Sequence, residues 1–142
     1  MRSAPKSSWT QAIAWWRKAA DHGSQGAETA LGSAFERAHG VDQNYAQAAY
    51  WYRKAADQGN AFGLLNLGAM ASQGHGVPAD EIEAYKWSAL AVARAPDWSP
   101  QARDRAARNR DASQARLTPA QLAEAKARVA AWLASHPNLP PP

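Results

Sequence analysis

Between Leu31 and Gly59 the chain reads LGSAFERAHGVDQNYAQAAYWYRKAADQG, and much of this stretch returns when the sequence is slid by 36 residues. Leu31-Gly32 falls on Leu67-Gly68, His39-Gly40-Val41 on His75-Gly76-Val77, and Gly23 on Gly59. The intervening segment repeats as well: Ala12, Ala48 and Ala84 align, as do Trp15, Trp51 and Trp87, and Ala19, Ala55 and Ala91. Residues 8 to 41 set against 44 to 77 share 14 identities in 34 positions without a gap. A fixed period of this length marks stacked supersecondary units.

Helix punctuation keeps the same register. Ser8, Asn44 and Asp80 are N-cap candidates, each followed three residues later by Gln11, Gln47 or Glu83, the spacing of a capping box. Gly23 and Gly59 stand where a helix ends in the left-handed conformation. Ser24 and Asn60 then cap a second helix that stops at His39-Gly40 and at Gly74-His75-Gly76. The unit is a helix hairpin, and the spacing predicts helices over 9–22, 25–38, 45–58, 61–73, 81–94, 100–113 and 119–135. Ala48, Trp51, Tyr52 and Ala55 form one apolar stripe. Gly32 and Gly68 sit mid-helix at a cost of about 1 kcal/mol each relative to alanine, which predicts a neighbouring helix crossing where no Cβ fits, with Trp51 filling the space.

Composition agrees with this periodicity. The 142 residues include 35 alanines but two isoleucines and four valines, a mixture poor in strand formers. There is no cysteine, which excludes disulfides, thiolate zinc sites and a cysteine nucleophile. No apolar run nears the ~20 residues of a membrane span, and no signal-peptide core follows the first residues. The chain as given therefore reads as cytoplasmic, with a periplasmic or secreted location open if the N-terminus is truncated.

The run Leu31-Gly32, Gly40-Val41, Ala48-Ala49-Tyr50-Trp51-Tyr52-Arg53-Lys54-Ala55-Ala56 and Gly59 resembles the Sel-1-like repeat, a relative of the tetratricopeptide repeat. The resemblance covers residues 8 to 95. It implies an all-α fold, a right-handed α-α superhelix of antiparallel hairpins with a 36-residue period. The expected division is a disordered 1–7, a half repeat 8–23, full repeats 24–59 and 60–95, C-terminal capping helices over 96–136 and a frayed Pro-rich tail at 137–142. The third copy departs from the pattern, with Ser88-Ala89-Leu90 in place of the aromatic-basic stretch and Ala95-Pro96 in place of the closing glycine.

In solenoids of this kind the first helices of successive hairpins line a concave groove. Carried over to this chain, that places Gly26, Thr29, Ser33, Glu36 and Arg37 on the groove in one repeat. Phe62, Leu65, Ala69, Ser72 and Gln73 follow in the next, with Phe62 and Leu65 as exposed apolar anchors. The resemblance implies a non-enzymatic scaffold that holds a peptide or partner helix. The residues before Trp9 are too few to supply a preceding helix, so Ala12, Trp15, Trp16 and Ala19 form a candidate edge interface for a homodimer, the alternative being a longer natural chain.

Competing chemistries are weaker. His39 and His75 occupy equivalent loops about one repeat, roughly 10 Å, apart, beyond the reach of two ligands on one ion. Asp80, Glu81 and Glu83 sit in a first helical turn, where the helix dipole favours carboxylates. No cofactor and no metal are expected. Cysteine-rich relatives with penicillin-binding or β-lactamase-like activity share no cysteine pattern with this chain, and cell-wall enzymology stays an alternative on that resemblance alone. Residues 1 to 93 carry eight basic and eight acidic side chains, whereas 94 to 142 carry eight and four. Arg103, Arg105, Arg108, Arg110 and Arg116 raise a nucleic-acid alternative, but they spread around their helix and no aromatic residue lies between Ser99 and Thr118 to stack on bases.

Overall fold

The computed structural model describes residues 6–141, with side chains from residue 8 onward. Seven helices follow one another: α1 (Lys6–Asp21), α2 (Gln25–Arg37), α3 (Tyr45–Asp57), α4 (Ala61–Gln73), α5 (Glu81–Arg94), α6 (Pro100–Ala115) and α7 (Pro119–Ser135). No strand occurs among the described residues. Neighbours in sequence pack as neighbours in space from α1 through α6, α6 also touches α4, and α7 lies on α5. The hairpins stack into a short α-solenoid, with α6 in the place where the first helix of a further hairpin would stand.

The caps are built as the punctuation predicts, with two differences. The side chains of Ser24, Asn44, Asn60 and Asp80 accept backbone N–H bonds from the first turns of α2 to α5. Ser8, however, lies inside α1, which starts at Lys6. The reciprocal half of a capping box forms only at Thr118 and Gln121, among the described caps. The expectation of a disordered 1–7 falls outside the described residues for 1–5, while residues 6 and 7 already belong to α1. Gly23 and Gly59 take φ of 83° and 79° and end α1 and α3.

The loop after α2 packs on α1, and the loop after α4 packs on α3. The His39 ring stacks on Trp9 at 4.5 Å, and 36 residues on His75 stacks on Tyr45 at 4.4 Å. Gly40 and Gly76 (φ 78° and 74°) bring the loop backbone against these same residues. A Cβ on Gly40 would stand 2.6 Å from Cβ of Trp9, and one on Gly76 would collide with the Tyr45 carbonyl. The repeated His-Gly is thus a junction between consecutive repeats.

The mid-helix glycines mark close crossings, but the filler is not Trp51. A Cβ on Gly32 would lie 2.6 Å from the Tyr52 ring, and one on Gly68 would lie 2.6 Å from Oγ of Ser88. Tyr52 and Ser88 are one period apart. Adjacent helical positions differ by about 100° in direction, so the α2 crossing meets the Tyr52 side of α3 and Trp51 packs elsewhere in the core.

Within the expected frayed tail, Leu139 and Pro140 are docked, while residue 142 lies outside the described residues. Leu139 packs against the core, and Arg94 donates from Nε to the Gly59 carbonyl at 2.9 Å and from Nη2 to the Pro140 carbonyl. One carboxylate is buried outright: Glu28 accepts from Nε2 of Gln58 at 2.6 Å. Burial pushes its pKa above the ordinary value, opposed by that hydrogen bond and by Lys54.

Candidate functional site

The face of α2 and α4 expected to line a groove is present, but α6 lies across part of it. Leu65 is 4% exposed and belongs to the core, so it is not an exposed anchor. The reason is tertiary: α6 packs against α4 as well as α5, and Leu65 belongs to the core beneath it. Phe62 is half-buried and remains reachable. It faces Trp98 at 5.9 Å between ring centroids, and Trp98 is 75% exposed.

Between α2 and α6 a hollow of about 270 Å³ remains over α4. Phe62, Leu65 and Tyr52 contribute its apolar lining, Ser33 and Arg37 come from α2, and Arg105 comes from α6. Beside it, Phe62 and Trp98 border a second hollow of about 280 Å³. Two guanidinium groups thus stand around an aromatic and aliphatic floor, an arrangement suited to a segment carrying both acidic and apolar side chains.

Several groove residues expected to be free are already engaged. The Tyr52 hydroxyl donates to Oε1 of Glu36 at 2.8 Å. Burial first, and the Glu36 carboxylate second, raise the Tyr52 phenol pKa, so it stays a donor at neutral pH. The Thr29 hydroxyl donates to the Gly26 carbonyl at 3.0 Å. One period beyond Glu36, Ser72 donates to Oε1 of Glu81 at 3.2 Å, and Arg116 of the cap donates to both. Gln73 is exposed and Ala69 half-buried beside a hollow of about 190 Å³ that α6 closes over Ser88.

At the other end, Trp15 is 70% exposed, whereas its period mates Trp51 and Trp87 are 7% and 4% exposed. Ala12, Trp16 and Ala19 are half-buried, and Trp16 and Ala19 lean on the core. Three of the five clustered arginines make ties, and Arg105 lines the groove hollow. Arg103 donates to the Ala95 carbonyl and to Asp97, Arg110 to Asp111, and Arg116 to Glu81. Among the described residues no three His, Asp or Glu side chains gather as a metal-binding group.

Sequence reasoning missed Arg105, Trp98 and Asn66 as groove residues. Trp98 and Arg105 lie beyond the repeat, where no period assigns a face. Asn66 lies within the repeat, but its place beside the hollow depends on where α6 settles.

Stacked antiparallel hairpins, period-spaced glycines at the crossings and a groove along the first helices define an α-solenoid of the tetratricopeptide type. The model of the Sel1 repeat matches residues 10–24, 26–60 and 61–95, and the chain belongs to the Sel1 repeat family. Solved structures similar to it include the following two. One is c5321, described as a protective antigen present in uropathogenic Escherichia coli strains and displaying an SLR fold; it is 31% identical over 85% of this chain, with a TM-score of 0.77. The other is a Sel1 repeat protein from Oxalobacter formigenes, 37% identical over 63% of this chain, with a TM-score of 0.57. The matched regions cover 25% and 26% of those two proteins, so this chain spans about a quarter of their length. No curated protein matches the chain. Sel1 repeat proteins are generally protein-interaction scaffolds, and the family is typically non-catalytic. No described helix is long and apolar enough to cross a membrane.

Proposed function

We propose that this chain is a non-enzymatic scaffold whose groove between α2 and α6 receives an extended segment or a helix of a protein partner. The observation that carries the reading is the hollow over α4, with Phe62 reachable from it and Arg37 and Arg105 standing around it. Aromatic residues in a recess surrounded by polar groups are where binding energy concentrates. The arginines select for an acidic segment.

A peptide library displayed on phage tests this. Selected sequences should combine an apolar anchor with Asp or Glu, and binding should fall at least tenfold with Phe62→Ala or with Arg37→Glu and Arg105→Glu together. Arg37 and Arg105 are exposed, so the double variant should keep its Tm. Peptides whose binding ignores all three substitutions would sink the groove reading.

Exposed Trp15 supports a second reading, an edge-to-edge contact between two copies through Ala12, Trp15, Trp16 and Ala19. Sedimentation of the wild type against Trp15→Glu decides it, since only an interface at this edge would lose mass on substitution.

Against the nucleic-acid alternative, Arg103, Arg110 and Arg116 are each paired with a carboxylate, Asp97, Asp111 and Glu81. The alternative of an enzyme acting on cell-wall material rests on resemblance to distant relatives alone.

A further inference from the structure

On the side of α4 opposite the groove lies a cleft of about 380 Å³, with Ala49, Tyr50 and Arg53 of α3, Ala71 of α4, Val77 of the following loop and Trp87 of α5 among its walls. Shifting these positions back by one period gives Ile13, Ala14, Arg17, Phe35, Val41 and Trp51. At that earlier junction Phe35 is 8% exposed within the core, and the Arg17 guanidinium stands over its ring at 5.8 Å. At the later junction Ala71 replaces Phe35 and Ala49 replaces Ile13. Arg53 instead stands over Trp87 at 5.0 Å. The cleft therefore lies at the register position that Phe35 holds in the preceding repeat, with alanines in place of Phe35 and Ile13, while Leu67, Val77 and Trp87 keep the register of Leu31, Val41 and Trp51 and Tyr50 replaces Ala14.

The charges around it are already paired. Arg53 bonds Asp57, Glu83 bonds Lys86 and Arg128, and Asp80 accepts from the Ile82 and Glu83 amides. With no uncompensated charge to satisfy, the space suits a neutral apolar group rather than an ion. Tyr50 on its wall is 53% exposed, so the cleft is open to solvent on that side and a side chain can enter while its backbone stays outside.

We propose that this cleft receives a phenylalanine side chain from a segment of a partner protein, making a second contact point on the face opposite the groove. The inference rests on the scaffold reading but not on the groove.

The test is NMR titration of the full chain with N-acetylphenylalaninamide, N-acetylalaninamide and toluene as probes. The phenylalanine derivative should give saturable shifts confined to Ala71, Val77, Trp87 and Tyr50, and the alanine derivative none. Ala71→Phe should fill the cleft, abolish those shifts and raise Tm by about 3 °C. If Ala71→Phe does not fold, Ala49→Ile, which copies the other lost residue, should weaken the probe at least fivefold. Arg37→Glu with Arg105→Glu should leave the shifts unchanged, which separates a failure here from a failure of the groove. Equal shifts from the alanine derivative would overturn the proposal, as would shifts that survive the filling variants. Binding of toluene without the amide would also overturn it, because it would show a space closed to a residue on a backbone.

Discussion

The two junctions between successive repeats share a backbone plan and differ in what fills them. At the first, Tyr52 lies against Gly32 and bonds Glu36, and Phe35 fills the opposite side beneath Arg17. At the second, the mates are Ser88 and Ala71; hollows of about 270 Å³ and 190 Å³ lie on the groove side of the two junctions, and a cleft of about 380 Å³ stands beside Ala71 on the other side. The glycines, the stacked histidines and the caps are common to both. The period therefore specifies the crossings, while a few side chains within it decide where space remains. A solenoid can vary its binding surface in this way without changing its scaffold.

The largest contrast expected along the period is between Trp87 and Trp15. Trp87→Ala removes a buried ring and should cost about 3–5 kcal/mol, whereas Trp15→Ala, at an exposed position, should stay within about 0.5 kcal/mol. Urea unfolding of both variants measures the difference. Comparable losses would mean that Trp15 is covered in solution, which sharpens the edge-contact reading.

A smaller contrast separates the two crossing glycines. Gly32→Ala drives a methyl into three ring atoms of Tyr52, whose hydroxyl is held by Glu36, and should cost about 1–3 kcal/mol. Gly68→Ala meets chiefly Oγ of Ser88, which can rotate away, and the gain in helix propensity of about 1 kcal/mol offsets what strain is left. Thermal unfolding should place Gly68→Ala near wild type and Gly32→Ala well below it. Equal penalties would break the claim that Tyr52 distinguishes the junctions.

The smallest effect concerns the end of α2. Ala38 adopts φ 57°, the left-handed region, where its period mate Gly74 takes φ 74°. Ala38→Gly relieves the Cβ penalty at an exposed C-cap and should stabilise by about 0.5–1 kcal/mol, read as a small rise in Tm. A loss would show that the αL strain at Ala38 is offset by contacts of its methyl group.

The helix set, its caps and its repeat were legible because each depends on residues near in sequence: Asn44 caps the helix it begins, Gly59 ends the one before it, and the 36-residue period carries both to the next copy. The groove was legible only as a stripe. Ser33, Arg37 and Phe62 line the hollow on the expected face, but Leu65 on the same stripe is a core residue where α6, outside the repeat, packs on α4. Trp51 and Tyr52 both belong to the apolar stripe of α3, and the sequence could not tell which of two neighbouring rings meets Gly32. That choice follows from the crossing of α2 and α3, and a rotation of one residue about a helix axis exchanges them.

The sequence by itself therefore determined the hairpin, its period and its end signals, because capping, helix propensity and left-handed glycines act over a few residues. Only the tertiary structure decided which apolar side chains are core, where α6 lies on the groove, that Arg105 and Trp98 border it, and that Ala71 lines a cleft while its period mate Phe35 is a core side chain. Those outcomes depend on the approach of helices far apart in the chain, and packing against such a neighbour is not encoded in the periodicity of either helix.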